Sequence, residues 1–224
     1  MSGPDVRFYG RRKGHDLKPG RQRLVTEVLP LLRLPDTVPQ NLSDLFAKSV
    51  DEVQLEIGFG AGEHLIHQAR ANPKIGYIGA EPYINGVAAL VAGIERERIE
   101  TIRIFDEDAR LLLPKLPDGS LTKIFLLFPD PWHKARHNKR RFVSEETLDH
   151  FARLLQAGGE FRFASDDAGY VRWTLARTTR HAAFSWTARG PEDWRVRWPD
   201  AVATRYETKN ITKMKPVYLG FRRR

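Results

Sequence analysis

Apolar positions along the chain fall into two alternating rhythms. Short runs at Val53–Ile57, Ile75–Ala80, Ile102–Phe105, Lys123–Phe128 and Phe161–Ala164 have the length and hydrophobicity of strands in the interior of a parallel sheet. Between them the period changes to 3.6: Val87, Leu90, Val91 and Ile94 share one helical face, as do Leu148, Phe151, Ala152 and Leu155. The second of these helices is expected to start at a Ser144 cap, with Glu145 and Glu146 in its first turn, and to end at Gly158–Gly159. Further helices are expected from about Glu63, over Ala109–Leu113 (cut short by Pro114 and Pro117) and over Tyr170–Arg180, with a short capped turn at Ser43–Phe46. Phe184–Thr187 and Pro216–Phe221 can close the sheet, the latter apolar enough for a late internal strand. Repeated βα alternation predicts an α/β fold, a doubly wound and mostly parallel seven-stranded sheet with right-handed crossovers.

Charge divides the chain unevenly. Residues 1–23 carry seven Lys/Arg and read as a flexible basic arm, one that either orders on nucleic acid or merely solubilises; residues 24–224 read as one domain. Net charge is +9, yet residues 51–130 hold eight Lys/Arg against 13 Asp/Glu. An acidic middle with basic flanks suits a cationic or neutral small ligand inside and a polyanion around the rim. There is no cysteine, which excludes disulfides, thiolate metal sites and a cysteine nucleophile and is compatible with a reducing cytoplasm. No apolar stretch approaches a membrane span of about 20 residues.

Candidate chemistry sits where strands end. Glu56-Ile57-Gly58-Phe59-Gly60-Ala61-Gly62 puts three glycines between a strand and a helix, letting the backbone turn tightly and approach a ligand. A dinucleotide fingerprint needs its third glycine where this chain has Glu63, an acid that would repel a pyrophosphate at the helix N-terminus. Glu81 ends the second strand about twenty residues later, where an acid conventionally accepts from a ribose diol. Asp108 follows the third strand and can accept from an adenine amino group or simply cap a helix.

The densest signal is Phe125–Phe142, FLLFPDPWHKARHNKRRF. Pro129 and Pro131 stop the fourth strand and pin Asp130 at its carboxyl end, the edge where open α/β sheets bind ligands. Lys134, Arg136, Lys139, Arg140 and Arg141 follow, interleaved with Trp132, His133 and His137. Such a tract suits phosphates. Trp132 either stacks on a base or fills core, core being slightly favoured.

LEIGFGAGEHL, GAEPYINGV, FDEDA, PDPWHKARHNKRR, Ser165-Asp166 and Thr204-Arg205-Tyr206-Glu207 together resemble the bacterial tRNA (guanine-N7-)-methyltransferases, Rossmann-like class I enzymes that use S-adenosyl-L-methionine. The resemblance runs from about Arg11 to the C-terminus and implies methyl transfer to N7 of the variable-loop guanosine at position 46, with S-adenosyl-L-homocysteine as product. Residue by residue, it implies cofactor contacts at Glu56, Gly58, Gly60, Glu81, Asp108 and Asp130, with Asp130 also catalytic. It implies substrate contacts at Lys134, Asp166, Thr204, Arg205, Tyr206 and Glu207, and RNA contacts at Arg136, His137, Asn138, Lys139, Arg140 and Arg141. Asp166 and Glu207 would accept from the Watson–Crick edge of the guanine. Tyr206 and its neighbours complete a tRNA-binding, cytoplasmic enzyme without metal or membrane, a monomer or homodimer. The chain departs from the family pattern at His133 (usually proline), Ala135 (commonly lysine) and Ser165 (usually threonine). Rival readings are an exocyclic-amine methyltransferase, a non-enzymatic RNA-binding protein and a dehydrogenase.

Overall fold

Residue 10, residues 12–203, residue 207 and residues 214–224 are described by the computed structural model. Its centre is a seven-stranded sheet of β1 (Glu52–Ile57), β2 (Ile75–Ala80), β3 (Ile102–Phe105), β4 (Leu121–Leu127), β5 (Leu155–Ser165), β6 (Phe184–Trp186) and β7 (Val217–Arg223). The strand order is β3-β2-β1-β4-β5-β7-β6. The central strands pair in parallel, Leu55 lying opposite Ile78 on one side and Ile124 on the other. β7 is internal, as its hydrophobicity predicts, but runs antiparallel to both β5 and β6. From the β1–β4 pair, β2 and β3 are laid outward on one side and β5, β7 and β6 on the other, which makes the carboxyl ends of β1 and β4 the topological switch point, where a crevice opens.

Helices cover both faces: α1 (Pro19–Arg23), continued through a π-helical turn at Leu24–Val28 into α2 (Leu29–Leu32); α3 (Glu63–Ala71); α4 (Ile84–Glu97); α5 (Ala109–Leu112); α6 (Glu145–Leu154); α7 (Ala168–Arg180); and the short α8 (Glu192–Arg195). Two apolar clusters result. One joins α4 residues Val87, Leu90, Val91 and Ile94 to Tyr77, Ile102 and Ile104; the other joins α6 residues Leu148, Phe151 and Leu154 to Phe161, Phe163, Phe184 and Phe221.

Several boundaries differ from those expected. α6 ends at Leu154, and Leu155 turns extended to begin β5. Leu155 is apolar at a helical spacing, but its partner is Leu121 across the sheet, and Gly158 and Gly159 belong to an irregular stretch of β5 rather than to a helix cap. The Ser144 cap and the acids Glu145 and Glu146 in the first turn of α6 are as expected, and Thr147 completes a reciprocal capping box. The short turn falls at Leu42–Leu45, with Asn41, not Ser43, as its cap. Toward the N-terminus, the helical run from Pro19 crosses the arm boundary expected at residue 23. Upstream of it, Ile84 N–H donates to Arg12 O (3.0 Å), Gly14 N–H to Asn85 Oδ1 (2.8 Å) and Asn85 Nδ2 to His15 O (2.8 Å).

Candidate cofactor and substrate site

The turn after β1 is built from backbone. Gly58, Gly60 and Gly62 all take positive φ (72°, 58° and 83°), a region costly for any residue carrying a Cβ. A Cβ added at Gly58 or Gly60 would meet nothing within 4 Å, so the turn has open space above it into which a ligand can press.

That space is a cavity of about 390 Å³ lined by Gly58, Glu81, Asp108, Phe128, Asp130 and Trp132 among others. Glu81 is held at its floor: Oε2 accepts from Gly60 N–H (3.0 Å) and Oε1 from Tyr83 N–H (2.9 Å). Burial pushes the pKa of its carboxyl up. The two backbone donors oppose that shift, and the nearby charges of Asp130 and Glu56 add to it. Asp108 does cap α5, accepting from Arg110 N–H at 2.9 Å, and pairs with the Arg110 guanidinium at 3.3 Å, while also lining the cavity. Glu56 and Gly60 are next to lining residues, Glu56 preceding Ile57 in β1 and Gly60 donating to Glu81, but do not line the cavity themselves. Glu56 is 3% exposed, and its Oε2 is 2.7 Å from His64 Nδ1.

The β4 end is strained. Phe128 and Trp132, on either side of Pro129-Asp130-Pro131, adopt φ of 50° and 49°. For non-glycine residues this costs on the order of 1–3 kcal/mol each, and such strain concentrates at functional sites. The kinked segment projects Asp130, exposed at the lip, between the main cavity and a second, shallower one of about 380 Å³ shared with Pro131, Trp132, His133, Lys134 and His137. Trp132 is not core. It forms part of the wall of both cavities, with the Arg140 guanidinium 5.0 Å over its ring and His137 edge-on at 6.1 Å. His133, at the position where the chain departs from the family pattern, lies 3.0 Å from Asp167, the N-cap of α7.

The basic tract divides into two parts. Ala135–Arg140 forms a 3₁₀ helix; Lys134, Arg136 and Lys139 are exposed, and His137, Asn138 and Arg140 are partly so. Desolvation, followed by Arg140, Arg136, Lys134 and Lys139, holds the His137 imidazole below its ordinary pKa. That shift favours the neutral ring. Arg141 departs from its expected place on RNA. It is 8% exposed, donates to Pro131 O (2.9 Å) and Gly169 O (3.4 Å), and lies 5.0 Å over both Tyr170 and Trp173. Its guanidinium braces the Asp130 loop from behind.

On the far side of the site, Asp166 is buried just past the end of β5. Glu207 Oε1 accepts from Arg197 Nη2 and Tyr218 Oη, both at 2.7 Å. Thr204, Arg205 and Tyr206 lie outside the described residues. Among the described residues, no group of three or more side chains could hold a metal ion, and no helix is long and apolar enough to cross a membrane. Sequence reading missed His64, Arg110, Arg197 and Tyr218. Of these, only His64, eight residues after Glu56 on a helix aimed back at β1, left a legible signal.

The sequence matches relatives over nearly its whole length. The chain is 52% identical to the tRNA (guanine-N(7)-)-methyltransferase of Rhodospirillum rubrum, covering 98% of this chain and 89% of that protein. It is 48% identical to the enzyme of the same name from Brucella anthropi, covering 97% and 94%. The chain belongs to the tRNA (guanine-N(7)-)-methyltransferase family. Residues 51–219 also match a broader family described as putative methyltransferase. Among solved structures, the precorrin-6y C5,15-methyltransferase of Geobacter metallireducens superposes with a TM-score of 0.54 at 13% identity, covering 86% of this chain and 95% of that one. At that identity the likeness speaks for the class I methyltransferase fold alone.

Proposed function

We propose that this chain transfers a methyl group from S-adenosyl-L-methionine to N7 of a tRNA guanosine, the variable-loop nucleotide at position 46, in the cytoplasm. The observation that carries the reading is Asp130, set by two prolines and two left-handed residues at the lip shared by both cavities. The residues fit a cationic nucleoside cofactor: open space over Gly58 and Gly60, and buried acid at Glu81 whose ionisation is disfavoured until donors or a positive charge arrive. In this reading Glu81 holds the ribose hydroxyls, Asp108 the adenine amino group, and Glu56 the amino group of the methionine part. When bound, the cofactor supplies an electrophilic methyl on a sulfonium.

Guanine N7 has an exposed lone pair and no proton to lose, so the chain needs no general base. Its task is alignment, which by itself can supply several kcal/mol. Asp130 stabilises the positive charge developing on the purine. Lys134, Arg136, Lys139 and Arg140 hold phosphates. Asp166 and Glu207 accept from guanine N1 and N2, donors that adenine lacks. Thr204, Arg205 and Tyr206 complete the substrate side.

The test is methyl transfer from labelled cofactor to bulk tRNA, followed by strand scission at 7-methylguanosine. A single cut in the variable loop is expected. Label in an exocyclic amine, or no transfer at all, would sink the reading.

A further inference from the structure

We propose that His64 and Gln68, on α3, are positioning residues that couple the cofactor carboxylate Glu56 to the substrate-side segment 196–203, so that filling the cofactor site stiffens the approach to Thr204–Glu207. The proposal rests on the cofactor role of Glu56 given above.

The link is a buried file of polar groups. Glu56, His64 and Gln68 are 3%, 2% and 2% exposed. His64 Nδ1 lies 2.7 Å from Glu56 Oε2, Gln68 Nε2 lies 3.3 Å from His64 Nε2, and Gln68 Nε2 donates to the main-chain carbonyl of Asp200 at 2.6 Å. One assignment of protons serves all three contacts. The Asp200 carbonyl can only accept, so the near atom is the amide nitrogen; its second hydrogen points at His64 Nε2, which must then be the bare nitrogen, leaving Nδ1–H for the carboxylate. Turning the amide over would set two acceptor oxygens 2.6 Å apart. Phe125, edge-on to the His64 ring at 4.8 Å, restricts the imidazole further.

Beyond Asp200 the file continues toward the substrate side. The Asp200 carboxylate accepts from Arg162 Nη1 at 2.7 and 2.8 Å. Arg162 lies 5.1 Å over Trp198, Trp198 is edge-on to Tyr218 at 5.3 Å, and Tyr218 Oη donates to Glu207 at 2.7 Å. Two carboxylates assigned to different ligands, Glu56 and Glu207, thus terminate one contiguous set of contacts. The Gln68–Asp200 bond spans 132 residues of sequence, which makes it a long-range tie rather than a local turn. With one Glu56 oxygen engaged by His64, a ligand ammonium on the other fixes the plane of the carboxylate, and with it the ring, the amide and the Asp200 peptide. Coupling of this kind is reciprocal: tRNA must tighten cofactor binding by the same factor as cofactor tightens tRNA binding.

The experiment is hydrogen–deuterium exchange of the full chain with and without saturating S-adenosyl-L-homocysteine, saturation being set by calorimetry for each variant. In the wild type, the product is expected to slow exchange in peptides covering residues 196–203 by on the order of fivefold to tenfold, within the usual range of coupling between sites. Gln68→Met, which keeps the side-chain shape but cannot donate, should abolish that product-dependent slowing. Gln68→Glu, which meets the carbonyl with an acceptor, carries the same expectation should Gln68→Met not fold. A variant that speeds exchange equally with and without the product assigns Gln68 a merely structural role and overturns the proposal. So does a wild type that binds the product and shows no slowing at 196–203. A wild type that fails to bind the product overturns the cofactor reading itself, a result calorimetry reports separately.

Discussion

The two halves of the site are held by different kinds of interaction. On the cofactor side, the β1 and β2 ends position Gly58, Gly60 and Glu81 through main-chain groups: the turn is set by glycine conformation, and Glu81 is gripped by two backbone N–H donors. On the proposed substrate side, the β4 loop is held by side chains: Arg141 on the Pro131 carbonyl and His133 against Asp167. A backbone-held group tolerates little change in position, although its charge still responds to its neighbours, as Glu81 does to Asp130 and Glu56. A side-chain-held site depends on every brace, and this one also stores backbone strain at Phe128 and Trp132.

The sharpest challenge to this contrast is Asp130→Ala. It should reduce turnover roughly a thousandfold, by analogy with loss of one preorganised electrostatic partner, while a filter-binding assay finds tRNA affinity little changed. Near-normal turnover would show that the strained loop serves something else. Next, Glu81→Ala should weaken S-adenosyl-L-homocysteine binding by about a hundredfold, since it removes charge-assisted hydrogen bonds of roughly 1.5–3 kcal/mol each; calorimetry should show this with tRNA binding intact.

The neighbouring arginines then separate binding from bracing. Arg141→Ala should lower stability by roughly 2 kcal/mol, because Pro131 O loses a charged donor, seen as a fall of about 4–8 °C in Tm, with the salt slope of tRNA binding unchanged. Arg140→Ala should do the reverse, flattening that slope by about 0.7 to 0.9 and leaving Tm near its starting value. Equal behaviour of the two variants would dissolve the distinction.

The smallest effect is one of pH. In its proposed role Glu81 accepts from ribose hydroxyls as the ionised carboxylate, and its pKa is raised above the ordinary 4.5 by burial first. Cofactor-product affinity should therefore be full above that raised value and decline as pH falls through it, at higher pH than for an exposed glutamate. The folded chain binds the Glu81 proton more tightly than the unfolded chain does, so this group's contribution to stability runs the other way, falling as pH rises between the two values. Calorimetry and thermal melts across that window should move in opposite directions; parallel trends would place the titration elsewhere.

How much of this was legible beforehand follows the same division. The strands, the helix faces, the glycine turn and the acids at the β1–β3 ends are local patterns, and local patterns are read directly from residue order. Leu155 misled because an apolar residue at helical spacing serves equally well as the first residue of a strand, and only its pairing with Leu121 decides. Trp132 and Arg141 misled for a related reason: composition says aromatic and cationic, not which of them faces inward.

By itself, the amino-acid order determined the βα rhythm, the bend after β1, the proline bracket around Asp130 and the family, because each depends on neighbours within a few residues. Only the tertiary structure decided that Arg141 is buried on the Pro131 carbonyl while Arg140 lies partly exposed over Trp132, that Glu56 is held by His64, and that Gln68 reaches Asp200. Those outcomes depend on which distant groups burial brings within hydrogen-bonding reach, and a buried donor or acceptor must take the partner that folding supplies.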